Sequence, residues 1–123
     1  MQISIVATLL VAGVIHLLPL TGVLGWTHLQ RLYGLGASTP DLELLLRHRA
    51  VLFGLLGAFL ISAAFRPALQ TIALAAALIS VGSFVALAMR DGLTPELSRV
   101  FWIDVVLCAP LCVALGFSLV RQI

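Results

Sequence analysis

Four apolar stretches fill nearly the whole chain, each close to the roughly 20 residues that carry a helix across a bilayer core of about 30 Å. They run over residues 2–24, 41–65, 67–89 and 95–120. What remains suffices for short connections and leaves no room for a second domain. Arg66-Pro67 makes a very tight turn between the second and third stretches, and Arg90-Asp91-Gly92-Leu93 joins the third to the fourth. Connections this short force antiparallel neighbours. The expected fold is therefore all-α, an integral membrane up-down-up-down four-helix bundle forming a single transmembrane domain over residues 1–123, with both termini on one side.

Composition excludes the alternatives. Hydrophobic residues make up 62% of the chain and charged residues 10%, whereas a soluble domain carries about a quarter of its residues as charge. A soluble monomer, a disordered chain and a disulfide scaffold are all ruled out. The first stretch has no basic n-region, is too long for a signal peptide and is followed by no clean small-x-small cleavage site, so it is expected to be a retained helix.

The long polar interlude WTHLQRLYGLG, residues 26–36, has Trp26 and Tyr33, which favour a membrane interface, together with His28 and Arg31. A short interfacial helix is expected there, between helices one and two, ended by Gly34 and Gly36. Thr39-Pro40-Asp41-Leu42 opens the second long helix and Thr94-Pro95-Glu96-Leu97 the fourth. Each supplies a capping hydroxyl, a proline at the first helical position and an acid against the positive end of the helix dipole.

Those matching starts place the buried charges. Arg49 and Asp104 each lie ten residues beyond their capping threonine, roughly 5 Å inside the hydrocarbon boundary. His16, on a helix running the other way, comes to a comparable depth, with Arg47, His48 and Arg99 nearer the surface. The far half of the bilayer holds only serine and threonine hydroxyls and Gln70. Steps of four residues draw ridges of small or polar residues: Ser4, Thr8, Ala12 and His16 on the first helix; Ala50, Gly54, Ala58 and Ser62 on the second; Asp104, Cys108, Cys112 and Gly116 on the fourth. Such ridges mark inward faces.

A charge at that depth normally finds a partner. Asp104 is expected to pair with an arginine of the second helix; depth favours Arg49, whereas Arg47 better continues the small ridge. On one reading this cluster only fixes helix packing. On the other it lines a polar pocket open to one interface, with His16 and Asp104 as candidate catalytic groups for proton transfer and Arg47, His48, Arg49, Arg99 and Tyr33 as ligand-binding residues. A haem or metal held between His16 and His48 is a third reading, but no third ligand is evident, so no metal or cofactor is expected. Cys108 and Cys112 match neither a redox pair nor a secreted framework and suit helix packing. All seven basic residues are arginine, and the net charge of +2 without a basic stripe argues against nucleic acid.

The stretches VIHLLPLTGVLG, RLYG, LLRHRAVLFGLLGAF followed by RPALQ, and WIDVV resemble a family of small four-helix bacterial inner-membrane proteins. Members of that family often carry the label phosphopantetheine adenylyltransferase. The soluble enzyme of that name binds ATP phosphates through an H-x-G-H motif on an α/β fold. This chain has neither the motif nor the length for such a sheet, so the label is judged wrong for it. The resemblance implies a multi-pass protein of the bacterial inner membrane and brings no reaction with it.

Two functions follow as expectations. One is a membrane-embedded protein that binds or transforms an amphipathic ligand, a lipid, isoprenoid or quinone. The alternative is a structural or accessory subunit whose small-residue faces pack on a second copy or on another membrane protein. The side with the loops before the second and fourth helices carries Arg31, Arg47, Arg49, Arg90 and Arg99 against Arg66 and Arg121 opposite, which favours cytoplasmic loops and external termini; counted without the three candidate pocket arginines the sides are even.

Overall fold

A computed structural model describes residues 2–36, 39–89 and 92–123; the loop expected at Arg90 and Asp91 lies outside them. Among the described residues the chain forms five α-helices and no strand: α1 (Gln2–Leu17), α2 (Trp26–Tyr33), α3 (Pro40–Ala64), α4 (Pro67–Ala88) and α5 (Pro95–Gln122). A tighter 3-10 segment, Leu18–Leu24, prolongs α1. Four helices are long and apolar enough to cross a membrane, counting α1 with its extension. Large apolar side chains on the outside, such as Ile3, Leu55, Ile79 and Leu87, suit lipid rather than water.

Local chemistry sets the helix ends. Thr39 and Thr94 both lie in extended backbone, and their hydroxyls accept from the N–H groups of Leu42 at 3.1 Å and Leu97 at 3.2 Å. Each such cap is worth about 1 kcal/mol. The first span does not remain α-helical to residue 24 as expected. Pro19 has no N–H to give the carbonyl of Ile15, and its ring crowds that carbonyl, so the helix tightens from Leu18 onward. The interfacial helix forms as α2, between Gly25 at φ 131° and Gly34 at φ 63°, a backbone region that disfavours side chains.

The four-residue ridges drift off the core. Each four-residue step overshoots a full turn by about 40°, so three steps rotate a ridge well away from its starting face. On α5 the buried positions are Asp104, Leu107, Leu111, Ala114 and Ser118, alternating steps of three and four, while Cys112 and Gly116 are exposed. On α3 they are Ala50, Gly54, Gly57, Leu60, Ala63 and Ala64, with Ala58 and Ser62 outside. On α1 Ala12 and His16 are buried as expected, whereas Ser4 is exposed.

Glycine brings α1 against α3. A Cβ on Gly57 would stand 2.8 Å from the carbonyl oxygen of Gly13, and one on Gly13 would stand 2.6 Å from Cγ1 of Ile61. Around the bundle α1 packs on α3, α3 on α4, α4 on α5, and α5 back on α1. Contacts between α1 and α4 cross the centre, which leaves α3 and α5 on opposite corners. At the far end, Arg121 donates to the side-chain carbonyls of Gln2 and of Gln70, the latter at 3.0 Å. Fully buried Gln70 donates in turn to the last helical carbonyl of α3, at Ala64, at 3.0 Å.

Candidate functional site

At the α2 end of the bundle a cavity of about 210 Å³ opens between α3 and α5, bordered by α2 and by the first span. Its walls carry Ile15, His16, Leu18 and Pro19 from the first span, Arg31, Leu32 and Tyr33 from α2, Arg49 and Phe53 from α3, and Glu96, Arg99, Val100, Ile103 and Asp104 from α5. His16 and Asp104 are buried, whereas Arg31 and Arg99 are exposed, so the polar groups run from an inner end to a charged mouth.

Arg49 organises this space. Its Nη1 donates to the Tyr33 hydroxyl at 2.8 Å. Its guanidinium carbon lies 4.6 Å from the ring centre of Phe53, 5.3 Å from that of Tyr33 and 5.8 Å from that of Phe84. Three π faces therefore stabilise the cation where the expected carboxylate does not. Each such contact is worth about 0.5–2 kcal/mol, depending on how dry it is. Arg49 also borders a second depression of about 170 Å³ with Leu52, Phe53, Leu56 and Ser80.

The expected pairing of Asp104 with an arginine of α3 is not formed. Among the described residues the ion pair within 4.0 Å is Arg47 with Glu43, one turn apart on the outside of α3. Arg49 is held instead by the Tyr33 hydroxyl and by three aromatic rings, so it and Asp104 face the same cavity without closing on each other. Asp104 is 9% exposed and makes no hydrogen bond or ion pair with the described residues. No buried side-chain oxygen among them lacks a partner, so its carboxylate reaches the open cavity.

Arg47 and His48 do not join the site. Successive helical residues turn by about 100°, so Arg47 and Arg49 point almost oppositely and only one can face inward. Arg47 is exposed and donates to the carbonyl of Val23 at 3.0 Å, and His48 is exposed. His48 therefore does not share a centre with His16. Among the described residues no group of three or more metal-ligating side chains comes together.

His16 lines the cavity with both nitrogens engaged. Nδ1 is 2.7 Å from the carbonyl of Ala12, which only accepts, so that nitrogen carries the proton. Nε2 of the neutral ring then accepts from the Ser80 hydroxyl at 3.0 Å. Transfer of a proton between His16 and a ligand requires the Ser80 contact to open.

Arg31 and Glu96 are site residues that sequence reasoning assigned elsewhere, Arg31 to the interfacial helix and Glu96 to helix capping. Stepping back from Asp104 by fours, through Val100, reaches Glu96 on the same wall, so the spacing carried the signal. Glu96 lies beside Gly34, and the Thr94 hydroxyl donates to the carbonyl of Tyr33 at 2.5 Å, which ties α2 to the start of α5.

Burial pushes the Tyr33 phenol above its ordinary value of 10.0, and the Arg49 cation partly offsets this. Tyr33 is the single tyrosine, so near-ultraviolet titration of tyrosinate reads it directly. The midpoint is expected above 10.0, and higher still in Arg49→Gln. A midpoint at or below 10.0 shows that α2 does not cover this ring. Comparison with models of protein families, with curated proteins and with solved structures finds no match to this chain.

Proposed function

We propose that this chain is a multi-pass membrane protein that holds the polar head of an amphipathic ligand, a lipid, isoprenoid or quinone, in the cavity between α3 and α5. One observation carries the reading: Asp104 and Arg49 line open space without closing on each other. Desolvated charges left apart are costly unless something completes them. At about 210 Å³ the cavity is smaller than the roughly 300–1,000 Å³ of pockets that enclose a whole small molecule. It suits a head group or ring, with the chains of the ligand lying along the apolar exterior.

The resemblance to bacterial inner-membrane proteins supports that membrane as the location. Arg31, Arg47 and Arg99 are exposed at the α2 end, which supports a cytoplasmic position for that end. The test is native mass spectrometry of the chain purified in mild detergent. A retained amphiphile is expected, reduced about tenfold or more in Arg49→Gln, since a hydrogen bond to a charged group is worth about 1.5–3 kcal/mol. Absence of any retained amphiphile sinks the reading.

A second reading, a structural or accessory subunit, is favoured by the small residues left outside on α5. Ala109, Cys112 and Gly116 are exposed, and a Cβ on Gly116 would meet nothing within 4 Å. Such a face lets another membrane helix approach closely, from a second copy or a partner protein. A chain that stays monomeric in mild detergent and in lipid removes the self-association form of this reading.

A further inference from the structure

The charges around the cavity do not neutralise one another in place. Asp104 is buried and has no partner among the described residues. The Arg49 guanidinium has five N–H donors, and the Tyr33 hydroxyl takes one. Among the described residues no buried nitrogen is left without a partner, so the remaining donors reach open space. Arg31 on α2, and Arg99 and Glu96 on the α5 wall that bears Asp104, also line the cavity, the two arginines exposed at its mouth.

Two opposite charges held apart across one cavity complement a ligand that carries two opposite charges. A purely anionic head satisfies the arginines and sets its charge against Asp104. An uncharged ring leaves both ions desolvated and unpaired. Resting on the binding reading above, we infer that the cavity takes a zwitterionic head joining a phosphate ester to a primary ammonium, the phosphoethanolamine head of a membrane lipid. The planar guanidinium of Arg49 matches two phosphate oxygens in parallel, and Arg99 adds positive charge from the α5 side of the mouth. The ammonium gives its three donors to the Asp104 carboxylate and neighbouring acceptors.

A methylated ammonium is disfavoured for a reason visible in the same place. Recognition of a quaternary ammonium uses a box of aromatic faces. The rings able to form one here, Tyr33, Phe53 and Phe84, are already taken by the Arg49 guanidinium. What remains for the amine is a carboxylate, which rewards N–H donors that choline lacks. The size also agrees: a cavity of about 210 Å³ has room for a phosphate and the two carbons and nitrogen beyond it.

The experiment offers the full-length chain in detergent lipids of identical acyl chains bearing ethanolamine, N,N-dimethylethanolamine, choline or glycerol heads, and reads retention by native mass spectrometry. Retention is expected to fall in the order ethanolamine, dimethylethanolamine, choline, with the ethanolamine lipid about tenfold above the choline and glycerol lipids. Asp104→Asn is expected to remove that preference while retention of the glycerol lipid stays within about twofold, and Arg49→Gln to weaken all four. Equal retention of the ethanolamine, choline and glycerol lipids by the wild type overturns the inference whether or not the variants fold. Soluble phosphoethanolamine, which has no chains to lie on the exterior, is expected not to be retained; its retention at the level of the lipid overturns the lipid as source. A chain that holds another amphiphile, such as a quinone, with no preference for the ethanolamine head overturns this inference and leaves the binding reading standing. A chain that holds none overturns both.

Discussion

Gly57→Leu is expected to abolish the folded bundle, and Gly57→Ala to lower its stability sharply. Even the single added carbon of alanine stands 2.8 Å from a backbone oxygen, that of Gly13, and 2.9 Å from Cγ of Leu17. A backbone oxygen cannot swing aside like the end of a flexible side chain, so relief requires α1 and α3 to separate. Overpacking in a well-filled interior costs about 1–3 kcal/mol, and more where backbone is the obstacle. Separation also breaks the contacts of α1 that hold His16 beside the cavity. Gly82 gives the control, because a Cβ there meets nothing within 4 Å. Gly82→Ala is expected to be neutral or to stabilise by up to about 1 kcal/mol through helix propensity alone. Thermal unfolding in detergent, followed by far-ultraviolet circular dichroism, distinguishes the two. Equal midpoints for the alanine variants at Gly57 and Gly82 contradict the close approach of α1 and α3.

The second large effect belongs to Arg49. Arg49→Ala removes the charged hydrogen bond to Tyr33 and the cation from between three rings. Together these losses are expected to cost about 2–4 kcal/mol, and the lipid complement with them. Arg49→Lys keeps the charge and is the sharper comparison. An ammonium is a strongly hydrated point charge without a planar face to lay on rings, so lysine is expected to recover less than half of the lost stability. Its recovery of retained lipid is expected to be smaller than its recovery of stability, because a single ammonium does not match two phosphate oxygens. Full recovery of both by lysine contradicts the stacked geometry.

How far the structure was legible in the sequence depended on whether one helix or several had to be known. Capping is local, so Thr39-Pro40 and Thr94-Pro95 located the starts of α3 and α5 directly. The span lengths and the polar interlude that becomes α2 were equally local. Pro19 was visible too, yet whether a proline kinks, ends or tightens a helix depends on what surrounds it. Steps of four residues selected Ala50, Gly54 and Asp104 correctly and then drifted outward to Ser62 and Gly116, because an α-helix repeats at 3.6 residues. The failure to pair Asp104 with Arg49 was not legible at all. Depth placed both at one level, but what holds Arg49 back is the Tyr33 hydroxyl together with the rings of Tyr33, Phe53 and Phe84, brought in by α2, α3 and α4. The site therefore contains most of the residues the charge pattern suggested, joined in a way that only the packing of four helices decides.

The 3-10 extension of the first span has a consequence for reach. A 3-10 helix rises about 2.0 Å per residue against 1.5 Å for an α-helix, so the 16 residues of α1 and the seven that follow extend about 38 Å together. The 25 residues of α3 cover the same distance, about 38 Å, as ordinary α-helix. A stretch two residues shorter than its neighbour thus matches it in length. Pro19 acts as a length adjuster: the stretched backbone carries the chain past Gly54 and Ala50, against which Leu20 and Gly22 stand, to Val23, whose carbonyl accepts from Arg47, so that α2 sets off beside the cavity while the start of α3 extends beyond it.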